Sequence, residues 1–108
     1  MRLDKNVHFI TSDFSPAFKE FGEWKIVGFD LEEYWGKSLC LIQISTPINA
    51  YLFDPIALGN SEEFKMCLKE LFEDRHVKKL GFSCRPDVKQ IGKFIGFGTD
   101  NFSNVEDL

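Results

Sequence analysis

Apolar and polar positions along this chain repeat with two periods, one typical of strands and one typical of helices. Three apolar, β-branched runs predict strands at residues 24–30, 38–45 and 50–54. Prolines at positions 47 and 55 follow the second and third runs, where the missing amide ends a strand. Because the connections between these strands are short, we expect them to form an antiparallel meander.

The flanking segments predict helices and two further strands. A strand is expected from Val7 to Thr11, followed by a short helix that ends at Gly22. Asn60, with Glu63 three residues later, has the spacing of a capping box that starts a helix. The apolar stripe of that helix consists of Phe64, Cys67, Leu68, Leu71 and Phe72.

The end of the chain continues this alternation of strands and helices. Residues 77–82 predict a strand. Because a helix connects it to the preceding strands, we expect it to pair in parallel with one of its neighbours. Pro86 is expected to lie in the first turn of another helix. Residues 96–104 predict a loop, and a further strand is expected to begin at Val105. The order β-α-β-β-β-α-β-α(-β) predicts an α/β fold, in which a three-stranded antiparallel meander joins a parallel strand in one mixed sheet.

Composition excludes several classes of protein. With 108 residues, of which 44% are hydrophobic, the chain is a single domain rather than a disordered segment, and it contains no apolar run long enough for a membrane helix. Its three cysteines, Cys40, Cys67 and Cys84, are spaced neither as a disulfide framework nor as a zinc site. We therefore expect an intracellular protein, cytoplasmic or nuclear, with no membrane association.

Charge is distributed unevenly along the chain. The formal net charge of −4 argues against a protein whose whole surface attracts nucleic acid. Residues 60–93 nevertheless contain eight basic and six acidic side chains. This segment could face a phosphate backbone, or it could be the ordinary solvated face of a mixed-charge helix.

Three carboxylates are candidates for chemistry. Asp30 and Glu32 lie two residues apart at the end of a predicted strand, so both side chains point to the same face of the sheet. Paired carboxylates repel each other unless a cation joins them, and Mg²⁺ or Mn²⁺ prefers such oxygen ligands. Asp87 follows a strand and a short turn, where it is either a third ligand or an ordinary acid favoured by a helix N-terminus.

The order of these segments resembles the DEDD-type 3′–5′ exonuclease domain of the ribonuclease D and Werner-type branch. The resemblance is carried by four segments, Ile26-Val-Gly-Phe-Asp-Leu-Glu32, Leu39-Cys-Leu-Ile-Gln-Ile-Ser-Thr-Pro47, Ala50-Tyr-Leu-Phe-Asp54 and Leu80-Gly-Phe-Ser-Cys-Arg-Pro-Asp-Val-Lys-Gln-Ile91. It implies a ribonuclease H-like fold in which Asp30 and Glu32 match the first exonuclease motif and Asp87 the second. In this family the acids hold two divalent ions, which activate water and stabilise the leaving 3′-oxygen.

The sequence also departs from the family's set of motifs. The family's third motif, a Tyr or His with a fourth acid, is absent from these residues, and Asp107 does not replace it because no Tyr or His precedes it. We therefore expect residues 1–108 to be one C-terminally truncated domain. Its sheet would expose apolar surface to a protein partner or a second copy.

The resemblance and this departure from it leave two possible functions. The favoured one is a non-catalytic binding, adaptor or dimerisation module in an RNA-processing or small-RNA complex. The alternative is an active, Mg²⁺- or Mn²⁺-dependent 3′–5′ exonuclease on RNA or DNA, in which a partner chain could complete the site. Candidate nucleic-acid contacts are the aromatic and basic side chains of Tyr34, Trp35, Arg85 and Lys89.

Overall fold

The computed structural model describes residues 6–33, 39–82 and 85–108, except for the side chain of Arg85. Strands and helices follow one another in the order expected from the sequence, with one additional short helix after the fourth strand. They are β1 Asn6–Ile10, α1 Ser15–Phe21, β2 Ile26–Glu33, β3 Leu39–Ser45, β4 Asn49–Phe53, α2 Pro55–Leu58, α3 Glu62–Glu73, β5 Lys78–Gly81, α4 Arg85–Ile95 and β6 Val105–Asp107.

Within these described ranges the strands form one six-stranded sheet in the order β1-β4-β3-β2-β5-β6. Strand β3 pairs antiparallel with both β2 and β4, which confirms the predicted meander. The pairs β1–β4, β2–β5 and β5–β6 are parallel. The prediction of a mixed α/β sheet is therefore confirmed, and the parallel strands extend it at both edges.

The hydrophobic core lies on one face of this sheet. Along β2 the side chains of Val27, Phe29 and Leu31 are buried, while those between them are not, as the two-residue period of a strand requires. Helices α1, α3 and α4 pack on this face, mostly through aromatic rings in edge-to-face contact, such as Phe29 against Phe72. Each fully buried Phe contributes about 1.5–3 kcal/mol of hydrophobic free energy.

Two helix starts differ from the sequence expectation. Helix α3 is capped by Ser61, whose hydroxyl accepts a hydrogen bond from the Phe64 amide at 3.1 Å, so the prediction that Asn60 caps it is wrong by one residue. Helix α2 was not predicted because its four residues are too few to show a period. It begins where the Asp54 carboxylate accepts hydrogen bonds from two amides of its first turn.

Glu20 of α1 ties that helix to the turn between β3 and β4. Its carboxylate accepts hydrogen bonds from the side chains of Trp24 (2.9 Å), Thr46 (2.7 Å), Asn49 (2.8 Å) and Tyr51 (2.5 Å). These donors hold the pKa of Glu20 below its usual range, against the effect of burial. Burial, together with the Glu20 carboxylate, raises the pKa of Tyr51 to about 12.

Lys79 is a fully buried cation on β5. Its side chain is 0% exposed, and its ammonium donates a hydrogen bond to the backbone carbonyl of Asp74 at 2.6 Å, just after α3. Burial lowers the pKa of Lys79 to about 8, because the protonated form loses hydration that one carbonyl replaces only in part. This contact fixes the end of α3 against the strand that leads to α4.

Candidate functional site

Asp30 and Glu32 lie on the face of β2 that points away from the core. Both side chains are exposed and alternate with the buried Phe29 and Leu31, as the sequence spacing predicts. The Leu31 amide donates a hydrogen bond to the Asp30 carboxylate at 3.0 Å, which restricts the orientation of that side chain. The pairing of β2 with β3 shifts register between Glu32 and Glu33, so the strand is irregular directly after the two acids.

Asp87 comes from the first turn of α4 and faces the acids of β2. Its side chain is half-buried, and burial raises its pKa. The charge of Asp30 raises this pKa further, Glu33 adds a smaller contribution, and a hydrogen bond from the Leu31 backbone opposes them. The structure therefore brings together Asp30 and Asp87, two carboxylates from opposite halves of the chain.

Glu33 belongs to this acidic edge, although sequence reasoning did not include it. Its carboxylate accepts a hydrogen bond from the Gln90 side chain at 2.7 Å, which links the end of β2 to α4. The sequence signal that could have indicated it is Gln90 itself, a polar residue one helical turn after Asp87. The Glu33–Gln90 bond helps to hold α4 beside the acids.

The donors at this edge suit a hard divalent cation. They are carboxylate oxygens, and the repulsion that raises the pKa of Asp87 is the kind that a bound cation relieves. Across the described part of the chain, no group of three or more His, Cys, Asp or Glu side chains is arranged to hold a metal ion. The structure thus brings two of the predicted ligands together, with Glu32 on the same face as Asp30.

The predicted nucleic-acid contacts are only partly described. Tyr34 and Trp35 lie outside the described residues, as does the side chain of Arg85. Lys89 lies on α4 two residues after Asp87, and its side chain is exposed. Lys93, one turn further along the same face of α4, is also exposed.

The face of the sheet that carries Asp30 has a largely apolar surface. Paired residues on neighbouring strands point to the same side, so Phe9, Leu52, Gln43 and Asp30 form one row across four strands. We call this surface the open face. Its most exposed apolar side chains are Phe82 (78% exposed), Val7 (64%), Phe9 (63%) and Leu108 (61%).

A cavity of about 330 Å³ lies in the open face beside Asp30. Gly28 leaves room for it, and Gln43 and Ser45 supply polar groups. Leu80, Phe82 and Leu108 form apolar walls. An apolar side chain from another surface could enter this cavity next to the acids.

None of the helices in the described ranges has the length and apolar character needed to cross a membrane.

This chain is similar in sequence to 3′–5′ exonucleases. Residues 9–105 match the family model described as 3′–5′ exonuclease. The piRNA biogenesis protein EXD1 of Danio rerio is 34% identical over 76 residues, which cover 67% of this chain and 20% of that protein. The chain therefore spans about a fifth of the length of this relative.

Solved structures share the fold. The exonuclease domain of Aedes aegypti Nibbler matches 99% of this chain with a TM-score of 0.79 and 21% identity, and the match covers 55% of that domain. Trypanosoma brucei RNase D in complex with RNA U12 matches 96% of this chain with a TM-score of 0.79 and 20% identity, over 38% of that protein. The EXD2 exonuclease domain soaked in Mg matches 95% of this chain, with a TM-score of 0.75 and 19% identity, over 56% of that domain. The predicted ribonuclease H-like fold is confirmed.

Proposed function

Because this chain belongs to the 3′–5′ exonuclease family, we propose that it acts in an RNA-processing complex as a binding module rather than as a self-sufficient nuclease. In this proposal residues 1–108 form one exonuclease-like domain in the nucleus or cytoplasm, where RNA is processed. Its acidic edge binds nucleic acid with a divalent cation, and its open face binds a protein partner. The relative EXD1, named for piRNA biogenesis, supports an RNA-processing role.

The observation that carries this proposal is the exposed apolar surface of the open face. Mixed α/β sheets are commonly covered on both faces, and the described helices cover only the face opposite Asp30. Burying a large side chain such as Phe82 or Phe9 against a partner gains about 1.5–3 kcal/mol each. We infer that the occupant is an apolar surface of another protein molecule, with one side chain in the cavity beside Gly28.

Asp30 and Asp87 are the residues that would hold a divalent cation at the acidic edge, with Glu32 as a further oxygen ligand. A bound Mg²⁺ or Mn²⁺ would polarise a phosphodiester oxygen and lower the pKa of a water molecule. The protein's own contribution is positional. The Leu31 amide orients Asp30, and the Glu33–Gln90 hydrogen bond fixes α4 so that Asp87 faces β2.

The alternative is catalysis, in which the chain removes nucleotides from the 3′ end of RNA or DNA, alone or with its site completed by a second chain. The observation in its favour is the juxtaposition of Asp30 and Asp87, two acids that match different exonuclease motifs. Residues 1–108 supply three candidate metal-binding acids, so in this alternative a further segment or a second chain provides the fourth acid and the Tyr or His of the third motif. Such groups contribute factors of about 10²–10⁴ to the rate.

Incubation of the purified chain with Mn²⁺ and an oligonucleotide labelled at its 5′ end separates the two functions. We expect the oligonucleotide to remain intact. Progressive shortening from the 3′ end that Asp30→Asn abolishes would contradict the binding proposal and establish the exonuclease. Shortening that Asp30→Asn leaves unchanged would come from a contaminating nuclease. The assay is then repeated after further purification of both proteins.

Light scattering tests the open face. Without its partner, the purified chain is expected to self-associate as its concentration rises, because a second copy can cover part of the apolar surface. Exchanging Phe9 and Phe82 for Ser should reduce this association, whereas Ile56→Ser, which changes an exposed apolar residue of α2, should not. A wild-type chain that stays monomeric at high concentration would contradict the docking proposal.

A further inference from the structure

A second groove lies where α4 ends and the chain turns back over it. Its volume is about 440 Å³, and its lining consists of Lys89, Gly92, Lys93, Gly96, Gly98 and Thr99. Asp87 lies in the first turn of the same helix, two residues before Lys89, and does not line the groove. We call it the α4 groove.

The backbone of the turn is open on the side of the groove. Gly96 and Gly98 adopt φ values of +83° and +74°, which favour glycine, and a Cβ atom at either position would have nothing within 4 Å. Gly92 has the opposite environment, because a Cβ there would lie 2.5 Å from Thr99 Cγ2 and 3.0 Å from the Gly98 carbonyl carbon. The turn therefore packs tightly on α4 while its outer side leaves space for a ligand to approach the backbone.

Two cations line this groove. Lys89 and Lys93 are four residues apart, which places them on one face of α4, and both are exposed. In the part of the chain that the structure describes, neither ammonium has a salt-bridge partner, whereas the ammonium of Lys69 lies 3.0 Å from a Glu73 oxygen. The two lysines are one helical turn apart, about 6 Å along the axis of α4.

The turn also carries an exposed aromatic ring, whose cationic neighbour is Lys69 of α3. Phe97, between the two glycines of the turn, is 63% exposed, although a Phe on a surface loses hydrophobic free energy. The Lys69 ammonium lies 5.3 Å from the centre of its ring. Exposed aromatic rings contribute to the binding of single-stranded nucleic acid, because every base can stack on them.

We propose that the α4 groove binds the phosphate backbone of a single-stranded nucleic acid, with Lys89 and Lys93 pairing with phosphates and Phe97 stacking on a base. This inference rests on the proposed nucleic-acid binding and adds a contact site that extends from Lys89 to the turn after α4. A strand held there and at the acidic edge would follow the helix. The acidic balance of the whole chain is compatible with this, because the attraction is local.

Fluorescence anisotropy with labelled oligouridylate and oligothymidylate, measured at increasing NaCl concentrations, tests the groove. Lys89→Glu with Lys93→Glu should weaken binding about tenfold or more and reduce the slope of log K against log salt by about 1.4, as expected for two lost phosphate contacts on a single strand. Lys19→Glu with Lys25→Glu makes the same charge change at two exposed lysines outside the groove and should retain the wild-type slope.

Phe97→Ala separates stacking from charge. It should weaken binding about fivefold or more while leaving the salt slope unchanged, because a base contact releases no counterions. Loss of affinity for both oligonucleotides supports the groove as a general single-strand site, and loss for one alone assigns it to RNA or to DNA.

The outcomes distinguish the groove from the proposed function. If the wild-type chain binds oligonucleotide and the Lys89/Lys93 variant binds like the Lys19/Lys25 control, the groove proposal is wrong and the proposed function stands. If the wild-type chain binds neither oligonucleotide, both are wrong. If the groove variants lose affinity but the open face fails its light-scattering test, only the docking proposal is wrong.

Discussion

Asp30 on β2 raises the pKa of Asp87 on α4, although most of the described core lies between the two residues in sequence. Strand β5 pairs in parallel with β2, so both strands end at the same edge of the sheet. Helix α4 follows β5, and its first turn therefore lies beside the end of β2, where the two like charges face each other. A fold selected for stability alone would separate these charges. Their proximity supports the proposal that the acidic edge binds a cation.

Removing both acids should remove divalent-cation binding. We expect titration calorimetry to detect Mg²⁺ or Mn²⁺ binding to the wild-type chain and none to the Asp30→Asn, Asp87→Asn variant, because the amides are neutral and weaker ligands for these ions. Asp13→Asn with Asp100→Asn removes the same charge from two exposed positions and should leave the heats unchanged. Equal heats from all three proteins would contradict the assignment.

Replacing Tyr51 by Phe should destabilise the fold by about 1.5–3 kcal/mol, because Glu20 then loses one charge-assisted hydrogen bond. Urea denaturation measures the free energy of unfolding. In a double-mutant cycle with Glu20→Gln, the two changes should be non-additive, since Glu20→Gln removes the charge that strengthens the hydrogen bond from Tyr51. Additive effects would mean that the Tyr51 hydroxyl stabilises the fold independently of Glu20.

Lys79 should make the stability depend on pH above 8. Its pKa is lowered to about 8 in the folded state and is near 10.5 when unfolded, so the unfolded chain binds more protons between these values. The free energy of unfolding of the wild type relative to Lys79→Met should therefore rise with pH across this interval, by up to about 3 kcal/mol. Urea denaturation at pH 8 and near pH 10.5 measures the difference.

Lys25→Met is the matched control for this pH experiment, because it removes one exposed lysine from the surface. A wild-type advantage over Lys79→Met that is constant, or that falls as the pH rises, would show that Lys79 is not buried in the manner described.

Gly92→Ala should destabilise the chain by about 1–3 kcal/mol, although alanine normally favours a helix, because the new methyl group collides with Thr99 and the Gly98 backbone. Gly22→Ala is the control, since its methyl group would lie 3.6 Å from the nearest carbonyl oxygen, an ordinary contact. Adding Thr99→Ser to Gly92→Ala removes the closest colliding atom and should restore part of the loss. Thermal denaturation of the four proteins tests this packing, and a neutral Gly92→Ala would contradict it.

Much of the fold could be predicted because its signals are local. The β2–β4 meander follows from apolar runs and short connections, and α3 follows from a stripe that repeats over three turns. Two details required information that the period does not contain. Helix α2 is too short to show one, and the choice of Ser61 rather than Asn60 as the cap of α3 depends on which side chain reaches an amide.

The candidate site was predictable only as separate pieces. Asp30 and Glu32 share a face because strand side chains alternate, and that follows from spacing alone. Glu33 could not be included from spacing, because its role depends on a hydrogen bond to Gln90 across the molecule. The α4 groove could not be predicted either, because its glycines indicate only a loop. The groove depends on the packing of Gly98 and Thr99 against Gly92.

By itself the sequence determined the strands, the helices other than α2 and the faces on which their side chains lie, because these depend on interactions between residues a few positions apart. It also indicated the family, because four segments resemble exonuclease motifs and follow one another in the same order as in that family. Only the tertiary structure decided which strands flank the meander, that Asp87 meets Asp30, that Lys79 is buried and that one face of the described sheet is left uncovered. These depend on contacts between distant segments, whose free energy is set by packing and desolvation rather than by local preference.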